Sequence, residues 1–324
     1  MFFASIEGKF KFISNELGRE LARKIKKGAS FMLYTLQNDR LKIAVNDYGA
    51  ELKSIIGISD NTEYLFDGDP KWWKYTSPVL FPIVGKLVDG KYRFNGKEYN
   101  LPGHGFGRIS EYKCIRKEVD ELVFALDWNN ETLKNYPFKF RLEIAYILRE
   151  NRVEVMWTVK NEDDKIMYFS IGAHPALKCP ISDGEKFEDC YLKFNVAEKC
   201  SRIPIDMKSG ALTHDRIPTI EGRVLELNYD LFKNDALVFD DLKSDEISIC
   251  SHKSKKSITL KAKGFPFWGI WTPNKGGAPF LCIEPWHGHA DFIDFQGDLK
   301  DKDGIYSLVS GESFDAGYAF IIHE

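Results

Sequence analysis

The chain lacks several signatures, and each absence removes a class of function. None of its apolar runs approaches the roughly 18 residues that a membrane-spanning helix needs, so no membrane partner is expected. Neither sign of charge dominates: 45 Lys and Arg face 48 Asp and Glu, a formal net charge of -3. Nucleic-acid binding usually shows a basic excess or stripe, so no nucleic-acid partner is expected either. Six cysteines, at positions 114, 179, 190, 200, 250 and 282, are scattered without a CxxC pair or a Cys/His ligand spacing. A zinc site is therefore not expected. With no secretory signal ahead of them, reduced thiols in a cytoplasmic protein are the simplest reading. No fixed-period repeat and no Pro/Ser/Gly-rich linker divides the chain, and useful helical periodicity is nearly absent after residue 31.

What the chain has in quantity is aromatic residues: 24 Phe, 14 Tyr and 7 Trp, or 14% of 324 residues. Most of these fit a β-sheet core, where aromatics are favoured. A minority fit a sugar platform, because a pyranose presents an apolar C–H face to a ring. Hydrophobic residues make up 44%, enough for a large core.

Residues 1–31 read differently from the rest. Ile13, Leu17, Leu21 and Ile25 recur every four positions, an amphipathic helix pattern. Two readings stay open for this stretch. It is a helical N-terminal extension, or it is upstream sequence read as coding. The second follows because Lys27-Gly28-Ala29 can be encoded by a purine-rich ribosome-binding sequence at a natural distance before Met32. Mass spectrometry of the native N-terminus separates the two.

From Met32 onward short strands alternate with turn signals. Leu33 to Leu36, Asn38-Asp39 and Leu41 to Val45 form a hairpin signature. Lys91 to Phe94, Asn95-Gly96 and Lys97 to Leu101 form a two-residue hairpin. Glu121 to Trp128, Phe140 to Leu148 and Arg152 to Val159 alternate apolar and polar residues. Val238-Phe239, Ile247 to Ile249 and Ser257 to Leu260 continue the series, while Trp72 to Tyr75 and Asn130 to Asn135 suit short helices or turns. Strands at this density without long helices mean antiparallel β. The expectation is one mostly-β sandwich domain over residues 32–324.

Three segments place polar chemistry in apolar surroundings. In Leu101 to Arg108, His104 lies between two glycines, which give its backbone great freedom. In Tyr168 to Ala176, His174 closes a buried-looking strand, where a proton can be used near neutral pH. In Phe280 to Asp291, Glu284 ends an apolar run. A carboxylate there is costly unless paired or used, and burial would raise its pKa toward that of a general base. Trp286, two residues on, could stack on a sugar. His287 and His289 have the look of metal ligands, but no further cluster in the sequence supports them, and no metal is expected.

In order and character these segments resemble the aldose 1-epimerase (galactose mutarotase) family, most closely its LacX-like branch. The resemblance runs over residues 32–324. It rests on Phe81 to Lys86, Leu101 to Arg108, Tyr136 to Phe140, Gly172 to Pro175, Asn234 to Leu237, and Cys282 to Trp286. It implies the family's large antiparallel supersandwich. It implies Glu284 as the general base on the C1 hydroxyl, His174 as the general acid on the ring oxygen, and His104 as a hydrogen-bonding partner. Asp235 falls where the family holds a sugar hydroxyl, with Asp240 and Asp241 as alternatives. Lys86 stands near the position of a family arginine. Arg108 matches a His-Gly-Phe-x-Arg segment of a neighbouring branch that acts on hexose 6-phosphates. Asp235, Lys86, Arg108, Trp286 and Phe106 are thus the expected substrate-binding residues.

The implied reaction is interconversion of the anomers of a free aldohexose by ring opening, without a cofactor. A hexose 6-phosphate is the second substrate reading. Two other classes remain open: a non-catalytic sugar-binding protein on the same scaffold, and a glycoside hydrolase using Glu284 with Asp235. A small-molecule sugar is the expected partner, and a monomer or weak dimer the expected state.

Overall fold

The computed structural model describes residues 31–324. The periodicity assigned to residues 1–31 falls almost wholly outside them.

Nine antiparallel strands form the larger sheet. In spatial order they are Ile217–Glu226, Cys190–Arg202, Glu246–Ser251, Ser257–Lys261, Ser313–His323, Arg152–Asn161, Phe140–Arg149, Glu121–Asp127 and Lys113–Lys117. Phe140–Arg149 shows why the sequence folds this way: its residues alternate strictly between buried and more accessible, the period-two pattern of a half-buried strand. It turns at Glu150, which takes a positive φ of 46°, into Arg152–Asn161.

A second sheet positions the site. Its order is Leu237–Phe239, Phe267–Trp271, Phe280–His287, Ile171–Ala173 and Val79–Leu80, with Ala176–Lys178 also paired to Phe280–His287. One face of this sheet joins the main core. Leu281, Ile283, Trp268, Ile270, Leu237, Phe239, Ile171 and Ala173 pack there with Phe140, Leu142, Val153 and Val155 of the larger sheet. The opposite face carries the alternate residues. Leu80, Val238 and Trp286 form one small apolar cluster with Val84, Leu212 and Ala290. Cys282, Ala176 and Phe280 form another with Phe66, against which Trp72, Trp73 and Trp271 pack.

All eight residues of Phe280–His287 are buried, so loops cover the face that the core does not. Glu284 lies on that loop-covered face between the two small clusters. Because side chains alternate along a strand, a one-residue register slip would turn its carboxyl into the main core.

The sequence-level hairpins appear as expected, Leu33–Gln37 with Leu41–Asn46 and Lys91–Phe94 with Lys97–Asn100. At the second, Asn95 and Gly96 both take positive φ, 50° and 73°, as a primed turn requires. Asn130–Asn135 is a short α-helix, its first turn capped by the Asn129 side chain. Trp72 to Tyr75 contains no helix; its aromatics serve the site instead.

Candidate active site

His174 follows directly on the strand Ile171–Ala173, and its N–H donates to Pro78 O at 3.1 Å. Its Nε2 lies 3.2 Å from Glu284 Oε2, with the two side chains 9% and 1% exposed. Trp73 stacks on the imidazole at 4.5 Å and 29°, and Trp271 meets it edge-on at 5.7 Å and 82°. The pair is thereby held away from water. Burial pushes the Glu284 carboxyl well above the usual carboxylate range, and Asp235 adds to the rise. Burial also holds the His174 imidazole well below its usual value, helped by nearby His104 and Arg108.

His104 sits 5.5 Å from His174, ring to ring. Its backbone takes φ +66°, and the next residue, Gly105, takes +67°. A side chain at Gly105 would place its Cβ 2.2 Å from Phe81 O, so glycine is required there. The turn binds back to Gly85: His104 N donates to Gly85 O at 2.8 Å, and Gly85 N donates to His104 Nδ1 at 3.2 Å. Accepting at Nδ1 fixes the tautomer, so Nε2 carries the proton. Desolvation, with Arg108 and Lys86 nearby, holds His104 down to about 3. His104 is therefore a neutral hydrogen-bond donor at ordinary pH.

These groups line a cavity of about 480 Å³, together with Lys86, Arg108, Asp235 and Trp286. Trp286 donates its indole N–H to Ala173 O at 3.2 Å. Its ring lies across two neighbouring strands and needs the bare backbone there. A Cβ at Gly269 would come within 2.4 Å of it, and one at Gly172 within 2.6 Å. Arg108 donates to Gly103 O at 2.9 Å and places its guanidinium 4.9 Å over Tyr75. Asp235 takes φ +74° and accepts from Ala236 N at 2.8 Å. Of the three aspartate candidates it is the one lining the cavity, whereas Asp240 is bonded to Arg216.

Phe106 does not line the cavity. Its ring turns toward Phe81, Tyr136 and Phe140 and packs on the main core. His287 and His289 do not group as metal ligands. His287 shares a hydrogen bond of 2.8 Å with the Tyr306 hydroxyl, and His289 donates from Nδ1 to Ala290 O at 2.6 Å. Among the described residues, the three-donor cluster fit for an ion is His174, Cys282 and Glu284.

Sequence reasoning missed Trp73 and Trp271 as the walls around His174, and Lys71 and Lys275 as cavity residues. The run Lys71-Trp72-Trp73-Lys74-Tyr75 was itself a signal, since three aromatics in four positions do not suit a solvated turn.

A family model described as Aldose 1-epimerase matches residues 32–307. The chain belongs to the aldose 1-epimerase family. Protein LacX of Lactococcus lactis subsp. lactis, in plasmid and chromosomal forms, is 33% identical over 300 residues, 90% of this chain and 99% of that protein. A galactose mutarotase related enzyme from Lactobacillus acidophilus is 34% identical, with a TM-score of 0.85 over 90% of this chain and 98% of its own. A galactose mutarotase-like protein from Lactobacillus casei is 30% identical, also at 0.85, over 90% and 100%. The mostly-β, galactose mutarotase-like fold expected from the sequence is the fold observed. Among the described residues no helix is long and apolar enough to cross a membrane.

Proposed function

We propose that this protein interconverts the α and β anomers of an aldohexose by ring opening, with Glu284 as general base and His174 as general acid. The observation that carries this reading is the buried pair itself: an imidazole and a carboxyl at 3.2 Å, in a cavity wide enough for a sugar ring. Mutarotation removes a proton from the C1 hydroxyl and delivers one to the ring oxygen. Glu284 takes the first and His174 gives the second. C1–C2 then rotates, and the ring closes on the other carbonyl face. Each positioned acid or base is worth about 10²–10⁴ in rate.

Burial alone favours the neutral form of the pair, with the proton on Glu284. A C1 hydroxyl donating to Glu284 and a ring oxygen accepting from His174 both favour the ion-paired form. Sugar binding thus moves the proton across to His174 and arms the pair for the assigned direction. The His104 Nε2–H supports the ring oxygen or the anomeric hydroxyl, Asp235 holds a sugar hydroxyl, and Trp286 borders the sugar ring.

Polarimetry on freshly dissolved α-glucose and α-galactose tests the proposal. Acceleration by purified protein is the expected result. Binding without acceleration would instead identify a sugar-binding protein. Hydrolysis of a nitrophenyl glycoside would point to the two-carboxylate mechanism with Asp235.

One observation favours a phosphorylated hexose as substrate. Lys71, Lys86, Arg108 and Lys275 all line the cavity, and none of them has an ion-pair partner among the described residues. Against them stand Asp235 and the buried Glu284. A cationic cavity in a chain of net charge -3 attracts an anionic ligand. Competition of sugar turnover by inorganic phosphate tests this reading.

A further inference from the structure

Behind the acid–base pair lies a group with no part in the proton transfers described above. Cys282 precedes Glu284 by two residues on the same strand, so both side chains emerge on the loop-covered face of the sheet. The Cys282 thiol is fully buried. One ligand atom from each of His174, Cys282 and Glu284 lies within 4.8 Å of the others. His174 Nε2 and Glu284 Oε2 face each other at 3.2 Å. The contact is not aligned as a hydrogen bond, and Glu284 Oε2 has no hydrogen-bond donor although it is buried.

These are an imidazole nitrogen, a thiol sulfur and a carboxyl oxygen, the donor types that zinc takes. At usual bond lengths of about 2.0–2.2 Å and a tetrahedral angle, nitrogen and oxygen ligands stand about 3.4 Å apart. The imidazole–carboxyl separation already matches this, and the sulfur, which at a bond length of about 2.3 Å would stand about 3.6 Å from either, has to close by at most about 1.2 Å, a side-chain adjustment. His174 and Glu284 line the cavity, which leaves the fourth tetrahedral position facing the sugar site.

We propose that His174, Cys282 and Glu284 form a binding site for a borderline-soft divalent cation of the Zn²⁺ or Cd²⁺ type, and that its occupancy switches the enzyme off. The inference rests on the proposed roles of His174 and Glu284. The cation takes the lone pair of the imidazole and an oxygen of the carboxylate, the atoms that move protons. Cys282 enters as thiolate, its proton and any proton on Glu284 passing to solvent. Inhibition is therefore competitive with the sugar. Mg²⁺ and Ca²⁺ prefer sets of oxygen ligands and do not inhibit.

The test uses full-length protein freed of metal with a chelator. Initial anomerisation rates are followed against Zn²⁺, Cd²⁺ and Mg²⁺ in turn, for wild type and for Cys282→Ser. The expected result is inhibition by Zn²⁺ and Cd²⁺, reversed by chelator, with an inhibition constant about tenfold or more weaker in Cys282→Ser. In parallel, Cd²⁺ alone is titrated while the ultraviolet thiolate-to-metal charge-transfer band is recorded; wild type shows it and Cys282→Ser does not. Three results overturn the proposal: rates indifferent to millimolar Zn²⁺, equal inhibition of wild type and Cys282→Ser, or a Cd²⁺ band unchanged by the substitution. If no aldose is turned over at all, the epimerase reading falls, and the Cd²⁺ band still decides the metal site by itself.

Discussion

Replacing Glu284 by Gln sets activity and stability against each other. Gln keeps the shape and volume of Glu but cannot take a proton. The loss of a positioned base predicts a fall of about 10²–10⁴ in kcat. The effect on stability has the opposite sign. Glu284 is 1% exposed, and burial raises its pKa above the unfolded value of about 4.3. A group with a raised folded pKa contributes stability below its unfolded pKa and loses it as pH rises toward the folded one. At pH 7 to 8 the wild-type carboxyl therefore works against the fold, by about 1.4 kcal/mol for each pH unit above its unfolded pKa until the folded pKa is reached. Gln carries no such penalty. Glu284→Gln should accordingly be more stable than wild type at pH 8, and the advantage should shrink toward pH 4.5. Polarimetry measures the first effect, and urea denaturation across that pH range the second. A variant with the wild-type rate refutes the mechanism. A variant no more stable than wild type at pH 8 refutes the claim that the fold strains to bury this carboxyl.

Further expectations follow from the same geometry. His174→Asn removes the acid and should lower kcat by a similar 10²–10⁴ while the protein stays folded, as circular dichroism would report. Trp73→Ala strips the stacked ring from His174 and opens the pair to water; kcat/KM should fall about tenfold, the upper end of the worth of one aromatic contact. His287, buried beside Tyr306, is held down to about 4 by desolvation. Unfolding lets it charge, so stability is lost as pH falls from about 6.5 to about 4, by up to about 3 kcal/mol. His287→Gln should flatten that part of the urea-derived stability curve. Lys86→Gln removes an unpaired cavity cation, and the ratio of kcat/KM for glucose 6-phosphate over glucose should drop about tenfold if that cation meets a phosphate. An unchanged ratio would leave the neutral sugar as the better substrate reading.

The strands, the hairpins and the three polar interruptions were legible in the sequence because each is a local matter. Period-two alternation writes itself into Phe140–Arg149, and Asn95-Gly96 announces its turn by the backbone angles those residues tolerate. Glu284 stood out because a carboxylate ending an apolar run is costly wherever the chain goes. What sequence could not say is which loops cover which face. Trp73 reaches His174 across one hundred residues of chain, and Trp271 reaches it across nearly another hundred, so no local pattern marks either as a wall of the site. Phe106 illustrates the reverse error: it sits beside His104 in sequence, yet its ring turns into the core with Phe81 and Phe140 while His104 faces the cavity. Asp235 lines the cavity, while Asp240 is held by Arg216 from another segment, and neither fact shows in the local sequence. The surplus of unpaired cations lining the cavity, in a chain that is acidic as a whole, likewise exists only once the loops are in place. Alternation fixes which face a side chain takes, but burial, charge balance and partners are sums over neighbours that only the folded chain brings together.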